Sequence, residues 1–410
     1  MRRNRQPRGS KLLNQIIQGS PLRTALAIFL GFVIGAIFMI GSSQEFLNAL
    51  GYFFSRPQDA LMSAGNVVAD GYGALIRGSI FTPNGESILL SLRPLFETVR
   101  LSVPLIIGGL GLAVAFKTGL FNIGGTGQIV SGMAAAVFVA TRVDMVPVLH
   151  HLTAILAAVV AAGFWGWIVG FIRAKTGAHE VILTIMFNYI AIGLFTFALR
   201  TPGLLKESGE GTNPKADTPD TSAVFTPLFG DEVPLHWGLL LAPIALVVHW
   251  WLMERSNFGF RLRMVGLNPD AARTSGIDVP SYQAMSLLVS ASFMGLVAAN
   301  QVLGNTNGAT SNSHIGIGFD AITVSLLGGS STLGVLFAGL LFGAFKAGSP
   351  QMQIAGISAD VLTIVQASIV LFIAAPPLVR ALFGLNRERR NSTLKRTKSA
   401  SSSSKEVADE

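Results

Sequence analysis

Long apolar stretches separated by short polar ones make up most of the chain. The first, residues 24–40, contains no charged residue and consists mainly of Ala, Ile, Leu, Phe, Val and Gly. About 20 apolar residues cross the roughly 30 Å hydrocarbon core of a bilayer, so with Pro21 and Leu22 this stretch is just long enough. Further apolar segments occupy residues 96–116, 128–140, 152–172, 181–199, 235–253, 281–303, 319–327, 333–345 and 361–378. The pattern predicts an all-α integral membrane protein with about ten transmembrane segments.

Three of these segments, residues 128–140, 319–327 and 333–345, are short for a complete crossing and are flanked by glycine. Non-helical backbone is tolerated at membrane depth only where surrounding protein shields it from lipid. The three segments are therefore predicted to be broken or re-entrant helices that are buried among the others.

The N-terminal segment is predicted to be an uncleaved helix. A basic stretch, residues 1–21, precedes it, as in a signal peptide, but a signal peptide has a shorter apolar core and small residues at a cleavage site. Here residues 41–44 read G-S-S-Q, which is a poor cleavage site. We therefore expect a basic cytoplasmic N-terminus over 1–21 and a first transmembrane helix over 22–41.

The charge distribution predicts the orientation in the membrane. Of the 30 Lys and Arg residues, most fall in segments that ten crossings place on one side, together with both chain ends. Cytoplasmic loops carry the excess of Lys and Arg, so both termini are predicted to be cytoplasmic. The net charge of +8 is thus explained by membrane orientation, and nucleic acid is not a predicted partner.

The polar regions divide the rest of the chain. Residues 42–95 are predicted to be an external, mildly amphipathic region, and residues 201–234, rich in Pro, Thr, Asp and Gly, an external loop. Residues 386–410 are basic and then Ser-rich, which is typical of a disordered cytoplasmic tail.

Composition and motifs exclude several functions. The chain is 50% hydrophobic and only 13% charged, and it contains no cysteine, which excludes an ordinary soluble enzyme and a thiolate metal site. Residues 111–118 approach a P-loop, but Phe116 stands where its second glycine is needed. No catalytic constellation, metal site or cofactor is predicted. The scarcity of ionisable residues inside the spans also argues against a proton-coupled carrier.

The polar segment at residues 254–280 is predicted to contain a short helix. Asn268 is a good N-cap, Pro269 fits the first helical position, and Asp270 suits the positive helix end. Gly276 can end the helix in the left-handed region. Such a capped helix between two spans suits the groove of a partner protein, or else lies on lipid headgroups.

Four motifs together resemble those of permease subunits of bacterial ABC importers for nucleosides, simple sugars and branched-chain amino acids. They are residues 119–128 (G-L-F-N-I-G-G-T-G-Q), 180–189 (E-V-I-L-T-I-M-F-N-Y), 258–273 (F-G-F-R-L-R-M-V-G-L-N-P-D-A-A-R) and 318–329 (G-F-D-A-I-T-V-S-L-L-G-G). The resemblance covers residues 96–380 as the permease core and is nearest to the nucleoside branch, which is served by lipoproteins of the basic-membrane-protein kind. Gly125-Thr126 stands where that branch often has Ala-Glu.

The resemblance implies a non-catalytic chain of the bacterial cytoplasmic membrane that forms half of a nucleoside pathway. Its implied partners are a separate ATPase, a second permease that is identical or paralogous, and an extracytoplasmic substrate-binding lipoprotein. Sugars or branched-chain amino acids remain alternative substrates, and a self-contained carrier or channel is the alternative of another class. Segment 254–280 is implied to couple to the ATPase through Arg263, Gly266, Asn268, Pro269, Asp270, Arg273 and Gly276.

An internal echo independently indicates a transporter. Residues 122–131 and 314–325 share the spacing of Ile-Gly, Gly and a polar residue, and the predicted topology starts them from opposite faces, as in an inverted repeat. Polar or aromatic groups in the apolar segments are candidates for the substrate pathway, although hydrogen bonds between helices also explain the polar ones. These candidates are Asn122, Gln128, Asn188, Phe319, Asp320 and Gln366.

Overall fold

The computed structural model describes residues 20–83, 87–206, 214–230 and 233–375, and most of these residues are helical. Three isolated β-bridges occur in the described ranges, and no sheet. The predicted all-α class is confirmed. The basic N-terminus before residue 20 and the tail at 386–410 lie outside the described residues.

The helices, in chain order, are bounded as follows: α1 Ser20–Ser42, α2 Gln44–Leu50, α3 Pro57–Ser79, α4 Ile88–Ser91, α5 Arg93–Lys117, α6 Gly125–Arg142, α7 Pro147–Thr176, α8 Glu180–Arg200, α9 Leu241–Trp250, α10 Asn257–Leu267, α11 Pro269–Thr274, α12 Val279–Leu303, α13 Ile317–Leu327, α14 Thr332–Ile354 and α15 Ala359–Ala374. A 3₁₀ turn over Trp237–Leu240 precedes α9, and a π-helical turn over Trp251–Arg255 follows it.

The chain divides into two compact units, which are described separately. The first unit takes in residues up to 41 and from 360 onward, and the second takes in residues 42–359. In the first, Ala27 of α1 and Phe372 of α15 are buried in a small apolar core. A Cβ on Gly31 would lie 2.4 Å from Ile369 Cγ1, so the two helices approach closely at this glycine.

Two central helices, α5 and α12, organise the second unit. They are 78% and 72% buried over their most apolar windows, against 17% for α8. Helix α5 packs against α13 and α14, α12 packs against α6 and α7, and the two central helices pack against each other. Small residues allow the closest approach: a Cβ on Gly166 of α7 would lie 2.4 Å from Ala291 Cβ of α12, as is common between membrane helices.

Within the part of the chain that the structure describes, seven helices are long and apolar enough to cross a membrane. They are Thr24–Ser42, Arg93–Lys117, Pro147–Thr176, Glu180–Arg200, Trp237–Arg255, Val279–Leu303 and Thr332–Ile354. Two shorter apolar helices, Ile317–Leu327 and Ala359–Ile373, accompany them among the described residues. The prediction of many membrane segments is therefore confirmed. The 11-residue α13 is short, as predicted, and the segment predicted at 128–140 lies in the 18-residue α6.

One predicted short segment was wrong. Residues 333–345 belong to α14, which runs for 23 residues from Thr332 to Ile354. The hydropathy pattern ends at Lys346 because its ammonium group is polar, but Lys346 pairs with Asp320 of α13. The more polar end of α14 then packs against α3, where a Cβ on Gly78 would lie 2.8 Å from the Gln351 side chain.

Candidate functional site

The stretch between α5 and α6 holds a closed network of amide side chains. Asn122 is fully buried, and its Oδ1 accepts from the Gly124 N–H at 2.9 Å. Its Nδ2 donates to Gln128 Oε1 at 3.2 Å and to Ser290 Oγ of α12 at 3.0 Å. The Gln128 amide, which is 1% exposed, donates back to Asn122 Oδ1 at 3.3 Å. These contacts favour the structural interpretation of Asn122 and Gln128 because both amides are occupied within the chain.

Asn188 ties α8 to the same stretch. Its Oδ1 accepts from the Gly127 N–H at 2.7 Å, and its Nδ2 donates to the Ile123 carbonyl at 3.0 Å. The first N–H groups of a helix have no partner within the helix, so Asn188 satisfies one of those at the start of α6. Unlike Asn122, it is only half-buried.

Helices α6 and α13 begin at matching positions of the echo in the sequence. Each starts three residues after a polar side chain, Asn122 or His314, and each follows a glycine N-cap, Gly124 or Gly316. The φ of Gly316 is +80°, a conformation that favours glycine, whereas the φ of Gly124 is −75°. The echo therefore corresponds to two helix starts at matching positions whose N-caps differ in backbone conformation.

The starts of α6 and α13 touch each other. A Cβ on Gly318 would lie 2.5 Å from Thr126 Oγ1 and 2.6 Å from Thr126 N. No larger residue fits there without displacing the start of α6. Two helix N-termini, each with a partial positive charge, therefore meet in the interior of the second unit.

An ion pair lies beside this meeting point. Lys346 Nζ of α14 is 2.7 Å from Asp320 Oδ2 in the first turn of α13, and the side chains are 30% and 15% exposed. A carboxylate at the positive end of a helix is favourably placed. Since α14 is a candidate span, this pair puts charges at membrane depth, where ionisable groups are costly and usually functional. The neighbouring Phe319 is 70% exposed.

A cavity of about 460 Å³ borders this ion pair at Lys346. Its polar lining comes from several elements of the second unit: Arg100, His236, Asn300, Gln301, Asn305, Ser313 and Lys346. Leu101, Pro104 and Leu105 of α5, with Gly304, Ile315 and Ile317, complete the wall. The volume falls in the range of small-molecule sites.

His236 at the rim of this cavity is held neutral. Burial lowers the pKa of its imidazole, and the charge of Arg100 lowers it further. Its Nδ1 accepts from the Gly238 N–H at 3.2 Å, which assigns the proton of the neutral ring to Nε2. The ring stacks on Phe225 at 5.7 Å.

Gln366, the remaining predicted pathway residue, lies on α15 in the first unit and is half-buried. The other five predicted pathway residues belong to the second unit. The role of Gln366 in the substrate pathway stays a prediction.

The 254–280 segment contains the capped helix that the sequence predicts. Asn268 Oδ1 accepts from the N–H groups of Asp270 and Ala271 at 3.1 and 3.0 Å, and Pro269 opens α11. Gly276 follows with φ +80°. A second helix, α10, which the sequence analysis missed, precedes α11 and packs against it. Leu267 at the corner between them is 82% exposed, and the Arg273–Asp270 pair is exposed as well.

Gly266 joins this segment to the stretch before α6. A Cβ at Gly266 would lie 2.1 Å from the Lys117 carbonyl oxygen and 2.9 Å from the Thr118 carbonyl carbon. The backbone of α10 therefore rests directly on the residues that lead to Asn122. Arg263, also on α10, lies close enough to Lys117 for the two cations to interact.

Sequence reasoning missed Lys346 and Ser290. Ser290 lies in an apolar helix, 168 positions from its partner Asn122, so only packing brings them together. A possible signal for Lys346 was a single lysine within a long apolar run. Among the described residues, no group of three or more His, Asp or Glu side chains is placed to hold a metal ion.

Comparison with known proteins identifies the family. The family described as the permease component of the branched-chain amino acid transport system matches residues 95–375. The guanosine ABC transporter permease protein NupP of Bacillus subtilis is 36% identical over 361 residues, which cover 88% of this chain and 94% of NupP. The nucleoside ABC transporter permease protein NupB of Lactococcus lactis is 34% identical over 72% of this chain and 83% of NupB.

An archaeal relative, the glucose ABC transporter permease protein TsgB13 of Haloferax volcanii, is 32% identical over 68% of this chain and 75% of its own length. No solved structure matches the chain. The family match covers more than half of the chain, and NupP aligns over nearly its whole length. The chain therefore belongs to the family of ABC transporter permease components, as a non-catalytic, multi-pass subunit in the cell membrane.

Proposed function

We propose that this chain forms half of the translocation pathway of an ATP-driven importer for nucleosides. The names of NupP and NupB, guanosine and nucleoside permeases at 36% and 34% identity, support this substrate class. The 32% identity to a glucose permease keeps simple sugars as the first alternative. The family description keeps branched-chain amino acids as the second.

The proposed topology has about ten membrane segments, with both termini in the cytoplasm. Helices α5 to α7 and α12 to α14 form an inverted repeat in this scheme. Reciprocal packing supports it, because α5 contacts α13 and α14 while α12 contacts α6 and α7. The matching positions at which α6 and α13 begin within the sequence echo support it as well. Broken helices that frame a central pathway are a known device of transporters.

Coupling to ATP hydrolysis is assigned to segment 254–280. The observation that carries this proposal is the contact of Gly266 with Lys117 and Thr118. A displacement of α11 by a bound partner would move α10. Through the contact at Gly266, it would also move the stretch that holds Asn122. The exposed Leu267 offers an apolar anchor to a groove, a mode in which short helices are often bound.

The proposed partners are an ATPase on the cytoplasmic side, a second permease chain and a substrate-binding lipoprotein outside. Helix α8 is only 17% buried over its most apolar window, so it has surface to offer to lipid or to the second permease.

Reconstitution tests the function. The chain is purified from native membranes with its associated proteins, and the complex is placed in liposomes with labelled guanosine. We expect uptake that requires both ATP and the associated ATPase. Uptake of glucose or leucine in place of guanosine would move the substrate to one of the alternatives. Transport by the isolated chain without an ATPase would contradict the whole proposal and favour a carrier or channel.

Variants in the coupling segment test its role. Leu267→Ala and Arg273→Ala alter exposed side chains, so folding and membrane insertion should be unaffected while guanosine uptake falls. Lys175→Ala is the matched control, since it removes an exposed cation at the end of α7, outside the segment. Unchanged uptake and unchanged stimulation of ATP hydrolysis in both test variants would refute the assignment.

A further inference from the structure

The cavity beside α5, α12 and α14 is not used by the coupling scheme. Arg100 lies seven residues after the start of α5, and Lys346 lies eight residues before the end of α14. At about 1.5 Å per residue, these side chains are roughly 10–12 Å inside their helices. The cavity thus extends along α5 from Arg100 to Leu105 and reaches Ile317 at the start of α13 and Lys346 of the Asp320–Lys346 pair.

The charges around the cavity are already balanced. Arg100 bonds to Glu97, with Nε 2.9 Å from Oε2, and Lys346 pairs with Asp320 at 2.7 Å. An anion would have to compete with two carboxylates, and a cation with two basic groups. His236 is neutral near pH 7, since burial lowers the pKa of its imidazole. The electrostatics therefore favour a ligand without net charge.

The polar groups that remain suit hydroxyl groups. A hydroxyl both donates and accepts, so it can accept from the Lys346 ammonium group and exchange hydrogen bonds with a side-chain amide. Gln301 lines the cavity, and its amide has no hydrogen-bond partner among the described residues. The apolar wall of Pro104, Leu105 and Ile317 gives a ring a surface to pack against.

We propose that this cavity is a binding site for the vicinal hydroxyl groups of a sugar ring, with Lys346 at its base, held in place by Asp320, and Gln301 on its side. The identification of that sugar as the ribose of a nucleoside rests on the proposed function. The site lies within a single chain, and it would receive the sugar after release from the binding protein. Lys346 and Gln301 thereby become residues that contact the transported solute, and Asp320 positions Lys346.

A cysteine-protection experiment tests this site without the binding protein. The chain has no cysteine, so Ile315→Cys introduces one thiol at a cavity-lining position that is 64% exposed. The assembled permease–ATPase complex is reacted in nanodiscs with a charged thiol reagent, with and without guanosine, ribose or 2′,3′-dideoxyguanosine. Asn307→Cys, exposed nearby and outside the cavity lining, is the control thiol.

Guanosine and ribose should slow the labelling of Ile315→Cys by a factor of 1 + [L]/Kd, about fivefold at four times Kd. The dideoxy analogue should protect at least about tenfold less well, because a site built for hydroxyl groups rejects ligands without them. Labelling of Asn307→Cys should not change. Equal protection by the dideoxy analogue would overturn the assignment to hydroxyl groups.

Second substitutions identify the groups that bind. Asp320→Asn, Lys346→Met and Gln301→Ala, each added to Ile315→Cys, should abolish or weaken protection while labelling without ligand stays within about twofold. Arg142→Gln breaks an ion pair with Asp217 outside the cavity lining and should leave protection intact. If Asp320→Asn or Lys346→Met fails to fold, Gln301→Ala still tests the site. Full protection in the Gln301→Ala variant would count against the site.

The outcomes separate this site from the proposed function. Guanosine uptake by the complete importer without any protection by guanosine or ribose would overturn the site and leave the function standing. Protection by ribose in a system that does not import nucleosides would leave the site standing and overturn the nucleoside assignment.

Discussion

The stretches before α6 and α13 occupy equivalent positions in the chain and satisfy their polar groups in opposite ways. At the start of α6, Asn122 and Gln128 bond to each other, and Asn122 also donates to Ser290 and accepts from the Gly124 N–H. Both side chains are buried. After the start of α13, Asp320 pairs with Lys346 next to an open cavity, and both side chains keep some exposure.

This difference indicates which of the two corresponding helix starts, that of α6 or that of α13, can contact a ligand. A closed and buried amide network makes one arrangement strongly preferred, since every alternative leaves a polar group without a partner. The Lys346 ammonium group has three N–H donors and lines the cavity, so it can bond to a solute while it stays paired with Asp320. The first helix start is suited to hold the fold, and the second to contact solute.

The largest effect on stability is expected at the closed network. Asn122→Leu leaves the Gly124 N–H, the Gln128 amide and the Ser290 hydroxyl without this partner. Each buried polar group without a partner costs about 1–3 kcal/mol, so a loss of at least about 3 kcal/mol is expected. Thermal unfolding of the purified chain in detergent measures it, with the exposed Asn307→Leu as control. A midpoint like that of the control would show that the network is not closed.

The contact between the two helix starts ranks second. Gly318→Ala places a Cβ against Thr126, and overpacking of this kind costs about 1–3 kcal/mol. Gly125→Ala is the matched control, because its Cβ would meet Met294 Cε at an ordinary 3.4 Å. Equal unfolding midpoints for the two variants would contradict the close approach of α6 and α13.

The link from α8 should matter less. Asn188→Ala removes the hydrogen bonds to the Gly127 N–H and the Ile123 carbonyl, but Asn188 is only half-buried, so a loss of about 1–2 kcal/mol is expected. Tyr189→Ala, at the next position and 69% exposed, should have a smaller effect. The same unfolding assay compares the two, and a larger loss in Tyr189→Ala would reverse the interpretation.

The smallest change in stability is expected when both members of the ion pair are replaced together. Asp320→Asn and Lys346→Met each leave one mostly buried charge without its partner and should be the less stable variants. The double variant removes the desolvation cost of both charges, so it should stay within about 1 kcal/mol of the native protein in the same unfolding assay. Solute protection should nevertheless be lost in the double variant. A loss of several kcal/mol in the double variant would show that the pair holds the fold, as the amide network does, and would remove the contrast between the two helix starts.

Features that depend on neighbours in sequence were predictable. The apolar runs indicated the membrane helices, because the length of an apolar stretch is a local property. Asn268, Pro269 and Gly276 predicted α11 and its end, because caps act within one helical turn. The full length of α14 was not predictable from hydropathy, since the partner that compensates Lys346 lies on another helix.

By itself, the sequence determined the helical class, the many membrane segments, the motifs of the family and the capped helix α11. Only the tertiary structure decided that the Asn122 amide bonds to Gln128 and Ser290, whereas Lys346, paired with Asp320, lines a cavity. It also decided that Gly266 rests on Lys117 and Thr118. The physical reason is that burial and hydrogen bonding depend on which distant residues the helix packing brings into contact, and an apolar helix presents similar surfaces to many possible neighbours.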